Sequence, residues 1–121
     1  MKTLLSIGLL YLALGIWCAI NPEGTSKSLG FVLSNNSAHS EYFTVYGGLD
    51  LGLGIGLLLG AFRAELRKGV LVFALTIHAS LVVFRSISFL LYSPLPWAIY
   101  ILATLEIAFS AALFLSLRKE M

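Results

Sequence analysis

Charge is scarce in this chain: eight Lys and Arg and six Asp and Glu make up only 12% of its 121 residues, while 59% are hydrophobic and the mean hydropathy is +0.93. That balance excludes an ordinary soluble domain, whose surface needs about twice the charged fraction. Cysteine is nearly absent as well. Cys18 stands alone, so the chain cannot close an internal disulfide or run two-thiol redox chemistry by itself. Histidine is limited to His39 and His78, too few for a metal centre, since a closed site needs several ligands at matched depth. No nucleotide-binding fingerprint is present either. The Gly52–Gly56 repeat lies inside an apolar run and follows no strand, and no nucleic-acid partner and no cofactor are expected.

What remains is long apolar sequence. A helix needs about 20 residues to cross hydrocarbon, and four runs supply that length: about Lys2–Ile20, Glu41–Phe62, Val70–Tyr92 and Leu95–Leu117. The fold class expected is all-α, an integral membrane four-helix bundle forming a single domain over residues 1–121. The first run follows Lys2 in the manner of a signal peptide, but Trp17-Cys18-Ala19 offers no small-x-small cleavage motif, so it is read as the first membrane helix. Asn21-Pro22 ends it. Glu23 to Ser40 is the one long connection, and its segment Leu29–Leu33 is too short to span, so it is expected at the interface.

Outside the spans, Lys2, Arg63, Arg67, Lys68, Arg118 and Lys119 fall on one side and Lys27 alone on the other. By the positive-inside rule both termini and the Arg63–Gly69 turn face the cytoplasm. Trp17, Tyr42, Tyr92 and Trp97 then belong near the outer interface, where amphipathic rings are favoured.

The second run contains Tyr46-Gly47-Gly48-Leu49-Asp50-Leu51-Gly52-Leu53-Gly54-Ile55-Gly56, whose large/small alternation is that of a strand. A lone strand would leave its backbone unpaired in lipid, so the segment must be helical. On a helix Gly48, Gly52, Gly56 and Gly60 form one flat ridge suited to close packing, inside one bundle or between two protomers. Asp50 turns about 200° away from Gly48.

Asp50, His78, Arg85 and Glu106 all lie inside the apolar runs, although each such group costs about 2.5–3.5 kcal/mol at the centre of a membrane helix. They must find one another, water or a ligand. At about 1.5 Å rise per residue, Asp50 lies roughly 13 Å below Glu41, Glu106 a similar distance below Trp97, and Arg85 about 10 Å below Tyr92. His78 falls on the Arg85 face, about 10 Å deeper. The expected arrangement is a ladder: Glu41 at the outer mouth, then Arg85, then Asp50 with Glu106, then His78. Two neighbouring carboxylates in low dielectric do not both ionise cheaply, so one holds a proton unless Arg85 bridges both. Tyr46, Ser86, Ser88, Thr104 and Ser110 are candidates to complete the hydrogen bonding.

Structural explanations stand beside the functional ones. An Arg85–Glu106 bridge fixes helix register, His78 serves a structural hydrogen bond, and Glu41 complements a helix dipole. Asp50 and Glu106 are harder to explain structurally, because intramembrane carboxylates default to function.

Over Glu41–Gly54, and through Asn21-Pro22, Tyr46-Gly47-Gly48, the basic stretch Arg63 to Lys68, Arg85 and Glu106, the chain resembles a family of small bacterial membrane proteins known as domain of unknown function 4345. The resemblance runs end to end, and its most specific element is Tyr-Gly-Gly-x-x-x-Gly. The family is in turn similar to the DoxX-like four-helix membrane proteins, some associated with quinone-linked oxidation or accessory roles. The resemblance implies a fold and a bacterial inner membrane, without an activity. Small multidrug exporters place an essential glutamate in the first helix, where this chain has no acid, and vitamin K epoxide reductase relatives need paired cysteines. Sterol-isomerase-like folds share carboxylates around a hydrophobic cavity by analogy only.

The function expected is therefore that of a binding or accessory subunit. Its bundle takes a lipid-like, quinone-like or amphipathic ligand, or a membrane partner or second copy, through the buried Asp/Glu/Arg/His cluster. Two alternatives stay open. One is an intramembrane acid/base enzyme with Asp50 or Glu106 as proton donor, His78 as base and Arg85 as electrostatic stabiliser. The other is proton-coupled transport along the ladder.

Overall fold

A computed structural model describes residues 1–121 and is helical almost throughout. Helix α1 spans Lys2–Ile20, α2 Pro22–Ser28 and α3 Asn36–Tyr42. A π-helical segment, Phe43–Leu49, joins α3 without a break to α4, Asp50–Phe62; α5 spans Ala64–Tyr92 and α6 Trp97–Glu120. Four continuous helices, Lys2–Ile20, Asn36–Phe62, Ala64–Tyr92 and Trp97–Glu120, are long and apolar enough to cross a membrane. The surface agrees with a lipid environment. Only 19 of 121 residues are buried, and Leu9, Phe62, Phe73, Phe84, Leu90 and Ile107 all stand exposed, a distribution no soluble monomer tolerates.

The chain packs as α1 on α4, α4 on α5 and α5 on α6, with α6 returning more sparsely to α1. Leu4, Ile7, Leu57, Ala61, Leu71, Ala74 and Leu113 form the apolar core toward the end that carries both termini. There Ser116 Oγ donates to Thr3 Oγ1 at 2.8 Å, joining the last helix to the first.

Where α1 crosses the Asn36–Phe62 helix the backbones almost touch. A Cβ on Gly8 would lie 3.1 Å from the Gly54 carbonyl oxygen, and one on Gly54 would lie 2.9 Å from the Gly8 oxygen. A Cβ on Gly15 would meet the Leu51 nitrogen at 2.8 Å and the Gly47 oxygen at 3.0 Å, and one on Gly47 would meet Ala19. Gly8 and Gly15 are seven residues apart, as are Gly47 and Gly54, so the same face returns after two turns of each antiparallel helix. The ridge expected at Gly48, Gly52 and Gly56 is not this contact: a Cβ at any of the three meets nothing within 4 Å. Only Gly60 of that set is closely packed, against Val70 and Leu4. The α1 contact lies on the other flank of the helix, which places the ridge outside.

The long connection is more ordered than its composition indicates. Asn21 ends α1 and also caps α2, its Oδ1 accepting from the Gly24 N–H, with Pro22 in the first helical turn where its missing N–H costs nothing. Asn35 caps α3 in the same way through the Ala38 N–H. His39 on α3 approaches Glu23 on α2, Nε2 to Oε1 at 2.7 Å. The segment after α2 returns over the bundle end: Phe31 packs edge-on against Tyr42 and Tyr46, and Gly30, at φ +84°, lies against Pro96.

Two other expectations change. Arg63–Gly69 is not a seven-residue turn, because α5 begins at Ala64. Arg67 reaches back from it, donating through Nε to the Gly60 carbonyl and through its terminal nitrogen to that of Ala61. It thereby satisfies carbonyls that the end of α4 leaves open. Tyr42, placed by sequence in an outer aromatic belt with Trp17, Tyr92 and Trp97, is buried, whereas those three are exposed. Its hydroxyl donates to Thr25 Oγ1 at 2.8 Å and lies 3.7 Å from Cys18 Sγ, so α2 draws the ring inward.

Candidate functional site

The interior between the helices gathers most of the ionisable groups singled out by sequence, in three separate arrangements rather than one ladder. The first is an ion pair between α5 and α6. Arg85 donates through Nε to Glu106 Oε2 at 3.1 Å and through a terminal nitrogen to Oε1 at 2.6 Å, a bidentate fork that satisfies both carboxylate oxygens. Glu106 is buried and the Arg85 side chain three-quarters so. The pair is also what α5 and α6 require to bring these two residues into apolar surroundings at all, since either charge alone would be costly there.

The second arrangement joins His78, expected from sequence, to Tyr11, which sequence reading passed over. His78, 1% exposed, places Nδ1 2.8 Å from the Ala74 carbonyl oxygen and Nε2 2.8 Å from the Tyr11 hydroxyl. A carbonyl only accepts, so Nδ1 carries the hydrogen. An enclosed ring with no carboxylate bonded to it is favoured as the neutral imidazole, whose Nε2 accepts from Tyr11, and both nitrogens are engaged. Phe109 completes the layer, edge-on to His78 at 5.9 Å and tilted against Tyr11 at 6.4 Å. One signal for Tyr11 was present in the sequence: it is the only phenol in the first run, seven residues before Cys18 and so on the same buried face. Replacing Tyr11 by Phe leaves Nε2 buried without a donor. We expect a loss of about 1–3 kcal/mol in unfolding experiments in detergent, against less than half of that for a surface control such as Tyr92→Phe.

The third is Asp50 by itself. It sits at the start of α4, directly after the π-helical segment, half-buried, and it accepts no hydrogen bond and pairs with no cation in this chain. Tyr11 lies within Coulombic range of both Asp50 and Glu106, and Tyr46 within range of Asp50 and Arg85, so the three arrangements adjoin one another. Local backbone explains the placement. Tyr42 and Gly47, five residues apart, are both buried, as i→i+5 bonding permits, and short π-helical runs of this kind recur at functional sites. Sequence gave no direct sign of it beyond Gly47-Gly48, which weaken an ordinary helix.

Other candidates lie apart. Glu41 is exposed and makes no contact with the interior charges; its position outside the buried face of α3 accounts for this. Tyr46 stacks on Tyr42 at 4.7 Å and stays partly buried at the loop end of the site. Ser86, Ser88, Thr104 and Ser110 do not join the charges. Each hydroxyl donates to a carbonyl of its own helix, those of Val82, Arg85, Tyr100 and Glu106 respectively, the cheapest partner available to a hydroxyl in an apolar setting.

No match was found among curated proteins or among solved structures. The model of one protein family, described as Domain of unknown function (DUF4345), matches residues 2–117. That stretch holds the first three long helices whole and the fourth as far as Leu117, the Asn21-Pro22 break and every interior ionisable group just described, and the chain belongs to the DUF4345 family.

Proposed function

We propose that this small membrane protein is a binding or accessory subunit whose interior takes the polar end of an amphipathic, lipid-like molecule, with Asp50 as the group that receives it. The observation that carries this reading is the lone carboxylate. Arg85, Glu106, His78 and Tyr11 each have a partner within the chain, while Asp50 has none, and a half-buried carboxylate inside an apolar bundle needs one. The six-to-one distribution of basic residues favours a cytoplasmic location for both termini, and a bacterial inner membrane is the setting we infer for it.

The acid/base alternative draws less support, because both nitrogens of His78 are engaged and the ring is enclosed. Transport along a ladder draws less as well, since Glu41 stands apart from the other groups. The binding reading is tested by native mass spectrometry of protein extracted from its own membranes in nonionic detergent. A bound amphiphile is expected on the unaltered chain and is expected to be lost from Asp50→Leu. Equal retention by the two, or no bound species on either, refutes the reading.

A further inference from the structure

The charges of the interior do not cancel, and the remainder has a sign. Arg85 is the only permanent cation there, and Glu106, bound through its Nε and one terminal nitrogen, balances its charge. His78 donates to Ala74 and accepts from Tyr11, so it contributes no charge and has no free nitrogen. From α1 the site receives the Tyr11 phenol, its hydroxyl already bonded to His78, and from the π-helical segment the partly buried Tyr46 phenol. Asp50 alone is unmatched. A ligand group that meets it must therefore supply a proton donor or a positive charge, and an anion is disfavoured because Glu106 already balances the one guanidinium.

Resting on the binding reading above, we propose that the ligand is a single-chain amphiphile whose head is an ammonium group and which carries no phosphate. An ammonium forms a charge-assisted hydrogen bond with Asp50. A zwitterionic lipid headgroup shares the ammonium but brings a phosphate, which this interior has no spare cation to hold. Arg85 is already balanced by Glu106, and drawing it away would strand Glu106 as a buried unpaired carboxylate.

The class is tested with the purified chain in nonionic detergent, titrated with dodecylammonium, dodecanol, dodecanoate and phosphatidylethanolamine. Binding is followed by the intrinsic fluorescence of the tyrosines and tryptophans. Dodecylammonium is expected to bind on the order of tenfold more tightly than dodecanol, and dodecanoate most weakly. Asp50→Asn, which keeps the side-chain shape, is expected to erase the preference for the amine over the alcohol, and Asp50→Glu to preserve it. Equal affinity of amine and alcohol for the unaltered chain overturns the ammonium class while leaving the binding reading intact. So does an amine preference that survives Asp50→Asn. Tighter binding of phosphatidylethanolamine than of dodecylammonium overturns the exclusion of phosphate, and failure of all four probes to bind overturns this proposal together with the binding reading.

Discussion

Arg85→Leu is expected to destabilise the folded bundle by about 3–5 kcal/mol, and Glu106→Leu by a similar amount, because each leaves the opposite charge in an apolar interior without a partner. The double variant Arg85→Leu with Glu106→Leu is expected to recover most of that loss, since it removes both charges and fills their volume with hydrocarbon. The comparison separates two roles for the pair. The bidentate fork between α5 and α6 fixes their register, which is the structural role considered for it from sequence. If that is its whole contribution, the double variant unfolds near the original denaturant concentration and still binds an amphiphile through Asp50. The check is a double-mutant cycle of unfolding curves in detergent micelles, in which the two single losses must not add. Additive losses would show that the two side chains do not interact.

A second large effect is expected at the crossing of α1 with the Asn36–Phe62 helix. Gly54→Leu must drive a side chain into the Gly8 carbonyl and the Leu12 backbone nitrogen, both about where a Cβ already lies at 2.9 Å. Backbone cannot move aside as a flexible side chain can, so a loss of about 1–3 kcal/mol or more is expected. Gly52→Leu, on the same helix and equal in added volume, meets open space and is expected to change stability by less than about 0.5 kcal/mol. Gly15→Leu should behave as Gly54→Leu does, against Leu51 and Gly47. Thermal unfolding of these variants in one detergent provides the contrast. Equal losses at Gly52 and Gly54 would mean that the ridge at Gly48, Gly52 and Gly56 is packed after all.

These two sites mark how far the sequence could be read. Four apolar runs and the need to close every backbone hydrogen bond in lipid lead to four helices, and the expected ends of the first run are met at Lys2 and Ile20. An Arg85–Glu106 bridge was one reading of the sequence because so few charges occur in these runs, but Asp50 at the same depth was an equal partner, and the packing of α5 on α6 decides between them. Which face of a glycine-rich helix meets its neighbour was not legible. Gly47, Gly48, Gly52, Gly54, Gly56 and Gly60 put small residues all round the helix, and the deciding information lies in the partner, where Gly8 and Gly15 repeat at the seven-residue spacing of Gly47 and Gly54. The π-helical segment was hidden for a related reason: it shifts the inward face near Tyr46 and Gly47, and no residue type announces such a shift. Tyr11 escaped because a tyrosine in an apolar run is compatible with the interface, the lipid or the core. Only the position of His78 on another helix distinguishes them. The cap formed by α2 and α3 was not expected: Asn21-Pro22 was read only as the end of α1, and the helix that Asn35 caps lies within a connection too polar for hydropathy to resolve.

The assignment of Arg85 to Glu106, with Asp50 left over, is open to direct measurement by solid-state NMR of the chain in liposomes. Carbon-13 in the side-chain carboxyls and nitrogen-15 in the guanidinium of the single interior arginine would report which carboxyl lies beside it. The expected result is strong dephasing of the Glu106 carboxyl carbon by Arg85 and little of the Asp50 carboxyl carbon. Strong coupling of Asp50 to Arg85, or none at Glu106, would contradict the account, because the carboxylate on which both binding proposals depend would then already have its partner.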